Sequence, residues 1–263
     1  MITDRVSPAE VTELVARMRT PGFPQRGTVN LGPYVLEYPR ARPFASTVEL
    51  LYADRIYDVE PLAGPEQIID GGGWVGLSVL RFRELFPDAS ITVFEPDPEL
   101  YEMLCRNLDR NRITGVEPVR AALAGRDGTA TFAATGSDSG GFPPAVTGEP
   151  ITVPTTRLSH YLDQPVSLLK LNIEGAETAV VEEVGARLAR VDQVLIEYHG
   201  FAALPQTLHQ LLGALHAAGH TYVVSHFNER NRGCVPPLRL GPDYRYFLLV
   251  YARRLPATVA TVR

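Results

Sequence analysis

Residues 68–86, IIDGGGWVGLSVLRFRELF, restrict the fold more than any other stretch of the chain. A short apolar run ends at Asp70, the turn Gly71-Gly72-Gly73-Trp74-Val75-Gly76 follows, and a helical pattern begins. G-x-G-x-x-G between a buried strand and a helix suits a βαβ nucleotide-binding unit. Glycines permit the tight turn and let backbone N–H groups at the helix N-terminus approach a ligand. The motif alone also fits a purely structural glycine turn.

The chain downstream repeats the alternation. ITVFEP (91–96) reads as a second buried strand and DPELYEMLCRNLDRN (97–111) as its helix, with Leu100, Leu104 and Leu108 on one face. VEPVRAALA (116–124) reads as a third strand and TATFAA (129–134) as a short one, and 135–150 is a loop rich in turn formers. VSLLKLNI (166–173) is a strand followed by a helix in EGAETAVVEEV, and VDQVLIEYH (191–199) is the next strand. Pro205 opens a helix with Leu208, Leu211, Leu212 and Leu215 on one face, closed by Gly219. HTYVVSHF (220–227) and YRYFLLVYAR (244–253) have no helical pattern between them, which predicts an antiparallel ending with one strand inserted beside its neighbour. The fold class is therefore α/β, a mostly parallel sheet with helices on both faces.

Upstream of the glycine turn, Ser7, Pro8 and Glu10 form a capping box ahead of Val11, Leu14, Val15 and Met18 at helical spacing. Residues 28–38 look extended and 46–54 suggest a short helix. The expected division is an N-terminal cap over 1–64 as part of the same unit, a sheet domain over 65–255 and a tail over 256–263.

Composition narrows the function. Twenty-five Lys plus Arg against thirty Asp plus Glu give a net charge of −5, which lacks the positive field of a general nucleic-acid binder. No apolar run reaches the ~18 residues of a membrane helix, and MITDRVSPAEVTE lacks a signal-peptide pattern. Two cysteines, Cys105 and Cys234, make neither a disulfide scaffold nor a four-thiolate zinc site. The expectation is a soluble cytoplasmic protein.

Two carboxylates sharpen the ligand. Glu95 ends the second strand, 25 residues after Asp70, where a carboxylate accepts hydrogen bonds from the two hydroxyls of a ribose. Asp70 immediately precedes the glycines. It would repel the pyrophosphate of a dinucleotide and attract a ligand carrying an ammonium and a sulfonium. The pair favours S-adenosyl-L-methionine (SAM) over NAD; a helix anchor for Asp70 and a surface acid for Glu95 are the plainer alternatives.

IIDGGGWVGLSVLRF, FEPDPELYEMLCRN, LLKLNIEGAE and VLIEYH, in this order and spacing, resemble the FkbM-type family of SAM-dependent methyltransferases. The resemblance covers about 65–200. It implies a class I methyltransferase fold, Rossmann-like, with seven strands of which the last is antiparallel, and methyl transfer to a hydroxyl of a small molecule. The candidate cofactor site is Asp70, Gly72, Gly73, Trp74, Gly76, Glu95, Pro96 and Asn172. The family usually has Ala-Asn where this chain has Gly73-Trp74, and Asp where it has Asn172. An amide is a poorer ligand for a hard cation than a carboxylate, so a divalent metal is not favoured, although Glu174 and Glu197 remain.

Asp70, Glu95, Asn172 and His199 all sit at carboxyl ends of strands, where such sheets bind ligands. The candidate catalytic residues are His199, Asn172 and Glu174. His199 is the candidate base for an alcohol acceptor, since an unperturbed imidazole titrates near neutral pH; a structural hydrogen bond is its alternative role. Glu174 and Glu197 are candidates to orient His199 or the acceptor, and Glu174 equally to cap the next helix. Lys170 either pairs with an acid or emerges at the sheet edge. Trp74 either meets the ligand or fills the core, and Phe44, Tyr52 and Tyr57 are candidates to cover the cofactor. His209 and His216 read as surface residues. His226 and the loop 227–243, with Arg230, Arg232 and Arg239, are weaker candidates for the acceptor side.

The expected function is a SAM-dependent O-methyltransferase acting on a polyketide, sugar or nucleoside-like natural product in secondary metabolism. The alternatives are an NAD-dependent Rossmann oxidoreductase and a non-catalytic SAM-binding module. The expected partner is a small-molecule acceptor with a hydroxyl group, without nucleic acid or membrane; a homodimer is left open.

Overall fold

The computed structural model describes residues 5–61, 66–136, 139–144, 146–225 and 244–255. Among the described residues there are twelve strands: β1 (Gly27–Leu31), β2 (Tyr34–Tyr38), β3 (Gln67–Gly71), β4 (Ser90–Phe94), β5 (Val116–Val119), β6 (Ala122–Leu123), β7 (Gly128–Ala134), β8 (Glu149–Thr156), β9 (Val166–Leu171), β10 (Val191–Phe201), β11 (His220–Ser225) and β12 (Arg245–Arg254). Six α-helices accompany them: α1 (Pro8–Met18), α2 (Ala41–Val48), α3 (Leu77–Leu85), α4 (Pro98–Arg110), α5 (Glu177–Val184) and α6 (Leu208–Ala217).

Seven strands form the central sheet in the order β11-β12-β10-β9-β3-β4-β5. β3, β4, β5, β9 and β10 run parallel. β12 lies between β10 and β11 and is antiparallel to both, as the absence of a helical sequence pattern before it predicts. This order and the single reversed strand make the fold a class I, Rossmann-like methyltransferase sheet. Every residue of β9 is buried, because helices cover both faces of its parallel neighbourhood.

The two faces carry separate hydrophobic clusters. On one, Leu80 of α3 and Leu104 of α4 pack with Leu14 of α1, Leu36 of β2 and Phe44 of α2. The N-terminal residues thus share a core with the sheet. On the other, Val180 and Val184 of α5 and Leu211 and Leu215 of α6 pack on Leu169, Val194 and Val250. The Ser7–Glu10 capping box starts α1 with reciprocal hydrogen bonds.

The structure departs from the sequence reading in three places. The strand expected over 116–124 is two. β5, with Pro118, forms the sheet edge, where a missing N–H is tolerated, and β6 leaves to join a three-stranded sheet, β6-β8-β7. β8 was hidden by Pro150 and Pro154, although Val153 and Thr155 alternate inward. The short helix expected at 46–54 is the end of α2 running into a π-helical turn at Glu49–Ala53.

Candidate active site

A cavity of about 1180 Å³ lies beside the carboxyl ends of β3, β4, β9 and β10 and takes part of its wall from the N-terminal segment. Gly72, Gly73, Trp74, Glu95, Pro96, Asn172, Glu174 and His199 all line it. Asp70 and Gly76 do not line it. Gly76 instead caps α3 in a left-handed conformation, φ +93°.

The glycine turn acts through its shape. Gly72 has φ +87°, and a Cβ there would lie 2.0 Å from the Asn172 carbonyl oxygen. Its N–H and that of Gly73 both donate to the Phe94 carbonyl, at 3.0 and 2.8 Å. The Trp74 N–H donates to Glu95 Oε2 at 2.8 Å. These donors, expected to meet a ligand, instead lock the turn onto the end of β4.

Asp70 is fully buried. Its Oδ1 is 2.8 Å from Lys170 Nζ, and its Oδ2 accepts from Ser78 Oγ at 2.5 Å. Lys170 also donates to the Gly71 and Gly72 carbonyls. The charge expected to attract a cationic ligand is therefore paired internally, and Lys170 takes the ion-pair alternative over the sheet edge.

Glu95 is a buried carboxylate on the cavity wall, at the end of β4. Oε1 accepts from the Asp97 N–H at 3.0 Å and Oε2 from the Trp74 N–H. Burial pushes its carboxyl up to about 8, against the lowering effect of those two hydrogen bonds. Each carboxylate oxygen has a second lone pair, so the group has capacity for the two hydroxyls of a ribose. Nearby, Asn172 Oδ1 is buried without a hydrogen-bond partner, an acceptor that a ligand donor would satisfy. Both features fit SAM.

Across the cavity, His199 sits near the end of β10 among carboxylates. Nδ1 is 3.0 Å from Glu177 Oε1 and Nε2 is 3.5 Å from Glu174 Oε1. Burial lowers the imidazole pKa, but Glu174, Glu177 and Glu197 together outweigh it and raise the ring to about 9. The carboxylates thus favour the protonated ring, where the sequence alone suggested an ordinary imidazole. Glu174 adopts φ +54° and Gly175 φ +99°, a turn that holds Glu174 between His199 and Arg245 Nη2, the latter at 2.8 Å. Trp74 also has positive φ, +48°. Such non-glycine outliers concentrate at functional sites.

Sequence reasoning missed the roles of Glu177 and Arg245, and left Tyr57 as one aromatic among three. Tyr57 OH donates to Glu197 Oε1 at 2.5 Å, and Asn172 hydrogen-bonds the same hydroxyl. Phe44 lies fully buried behind Trp74, ring centroids 6.0 Å apart. The Glu-Gly-Ala-Glu spacing was the available signal for Glu177; no local signal marked Tyr57.

His209 and His216 are exposed on α6, and His220 is buried with Nε2 3.0 Å from the Val191 carbonyl. His226, Arg230, Arg232, Cys234 and Arg239 lie outside the described residues. Among the described residues, no group of three His, Cys, Asp or Glu is arranged to hold a metal ion, and no helix is long and apolar enough to cross a membrane.

The methyltransferase FkbM domain matches this chain over residues 70–222. "Methyltransferase 1" of Beauveria bassiana (strain ARSEF 2860) is 26% identical over 182 residues, 56% of this chain and 70% of that protein. "Methyltransferase sdnD" of Sordaria araneosa is 29% identical over 155 residues, 57% of this chain and 54% of that protein. The crystal structure of geranyl diphosphate C-methyltransferase from Streptomyces coelicolor A3(2), with Mg2+, geranyl diphosphate and S-adenosyl-L-homocysteine, has a TM-score of 0.49 at 12% identity, covering 91% of this chain and 88% of that one. M. jannaschii TYW2 in complex with AdoMet has a TM-score of 0.47 at 11% identity and covers 90% of each chain. The FkbM match takes in more than half of the chain, from the glycine turn through β11, and with Glu95 on the cavity wall it settles the family: the chain belongs to the FkbM methyltransferases, and its methyl donor is SAM.

Proposed function

We propose that the chain is an O-methyltransferase acting on a hydroxyl of a small molecule, a natural product of the polyketide, sugar or nucleoside-like kind. One observation carries the reading: Glu95 and His199 line the same cavity, which supports a ribose held by Glu95 and an acceptor proton taken up by the neutral form of His199 in one space. Glu95 would hold the ribose hydroxyls, and Asn172 would accept from a polar group of the cofactor. SAM, when bound, supplies a methyl group on a cationic sulfur that leaves as a neutral thioether.

The protein must then align the acceptor oxygen and take up its proton. The neutral form of His199 receives that proton at Nε2 as the oxygen–carbon bond forms. The three neighbouring carboxylates stabilise the resulting imidazolium, and Arg245 keeps Glu174 in place. A net charge of −5 suits a small-molecule acceptor better than a nucleic acid.

Calorimetry with SAM and S-adenosylhomocysteine, followed by turnover of a panel of hydroxylated natural products, tests this reading. Binding and methylation at oxygen are expected. His199→Ala should keep SAM affinity and slow turnover by roughly 10²–10⁴-fold; full activity would remove His199 from the mechanism.

A further inference from the structure

Glu177 is buried at the first turn of α5, with 1% exposure, and meets three partners at once. Its carboxylate accepts from the Ile173 N–H at 3.1 Å and from the Gly175 N–H at 3.0 Å, and its Oε1 lies 3.0 Å from His199 Nδ1. The first two bonds fix the left-handed turn that carries Glu174; the third fixes the imidazole ring. One side chain therefore ties together Glu174 and His199, two residues that line the cavity.

Both oxygens of Glu177 accept from backbone N–H groups, so the carboxyl acts here as an acceptor, and its contact with Nδ1 assigns a proton to that nitrogen. Nε2 is then the nitrogen that exchanges its proton, and it lies 3.5 Å from Glu174 Oε1 on the cavity wall. The same logic orients the histidine of a nucleophilic triad through its second nitrogen. The groups facing His199 are Glu174 from the turn after β9, Glu177 from α5 and Glu197 from β10 itself. Arg245 of β12 acts through Glu174, and Tyr57 through Glu197.

We propose that Glu177 is the positioning residue of this site: it holds the proton on His199 Nδ1, directs Nε2 to the acceptor hydroxyl, and fixes the Glu174 turn in the same act. The proposal rests on the reading of His199 as base and adds the group that makes it one.

The test combines NMR of the His199 ring nitrogens in the cofactor-free protein with kinetics, for the wild type, Glu177→Gln and Glu177→Asp. In the wild type, the neutral ring should carry its proton on Nδ1, with a titration midpoint near 9. In Glu177→Gln the midpoint should fall by about one pH unit or more, and the Nδ1 preference should weaken. Turnover should drop at least about tenfold, with SAM affinity within about twofold. Glu177→Asp should recover part of both effects. An unchanged tautomer and midpoint in Glu177→Gln overturn the positioning role. If Glu177→Gln fails to fold, the same spectra of Glu177→Asp decide, since a carboxylate withdrawn by one methylene should also lower the midpoint, and an unchanged one overturns the proposal. A changed spectrum with unchanged turnover defeats the base reading instead, so the two failures are told apart.

Discussion

Lys170 Nζ and Asp70 Oδ1 meet at 2.8 Å across the paired strands β3 and β9, and both side chains are closed to solvent. The same ammonium holds the Gly71 and Gly72 carbonyls, so one buried ion pair fixes the start of the glycine turn. Removing one partner of such a pair leaves an uncompensated buried charge, at about 3–5 kcal/mol. Lys170→Met should therefore lower the urea midpoint strongly and weaken SAM binding through the displaced turn. The double variant with Asp70→Leu should recover part of the lost stability. Additive losses would show that the pair is not the coupled unit described.

Glu95 should give SAM affinity a pH dependence. Burial raises its free-state pKa to about 8, and donation from ribose hydroxyls favours the ionised form. Binding then releases a proton at neutral pH, so affinity should tighten as pH rises from about 6 to about 8, by at most about tenfold per pH unit. Calorimetry in buffers of different ionisation enthalpy reads the released proton directly. Glu95→Gln should bind more weakly and lose the slope; a Glu95→Gln variant with the wild-type slope would assign the proton elsewhere.

The parallel core was legible because its signals are local. IIDGGGWVG and ITVFEP each carry a strand and its exit in a few residues, and the gap in helical pattern before YRYFLLVYAR announced the reversed strand. β8 was not legible, because Pro150 and Pro154 mask its alternation. In the site, strand-end positions located Glu95 and His199 on one cavity. The pairing of Asp70 with Lys170 and of Tyr57 with Glu197 spans 100 and 140 residues, and no spacing rule reports a contact that only the folded sheet creates. The histidine's raised pKa was hidden for the same reason, since Glu174, Glu177 and Glu197 converge only in three dimensions.

His199 should impose an alkaline limb on both rate and stability. Its folded pKa is raised from 6.5 to about 9. Its contribution to stability is therefore complete below about pH 6.5 and is lost as pH rises toward 9, a change of roughly 3 kcal/mol. The rate runs the other way, because the base works only after Nε2 loses its proton. kcat/KM should rise with pH up to about 9, in place of a limb near 6.5. Urea titrations of wild type and His199→Gln between these pH values should show the variant losing less stability. A rate limb near 6.5 in the wild type would contradict the carboxylate cluster as the controlling environment.

Tyr57 lies outside the FkbM match at 70–222, yet its hydroxyl donates to a carboxylate on the cavity wall. Burial first, and then Glu197, push the phenol well above its ordinary pKa, so it stays a donor throughout the working range. Tyr57→Phe removes that donor alone and leaves the ring stacked on Phe82, whose centroid is 5.8 Å away. Glu197 then loses a partner in a buried setting, which should destabilise the protein by about 1–3 kcal/mol. Since Glu197 and His199 line the same cavity, and His199 is the proposed base, kcat/KM for the acceptor should fall by about tenfold or more while SAM affinity stays within about threefold. Steady-state kinetics beside calorimetry separate the two effects. Acceptor kinetics equal to wild type, with only the stability loss, would confine Tyr57 to the core and leave the N-terminal segment without a part in the reaction.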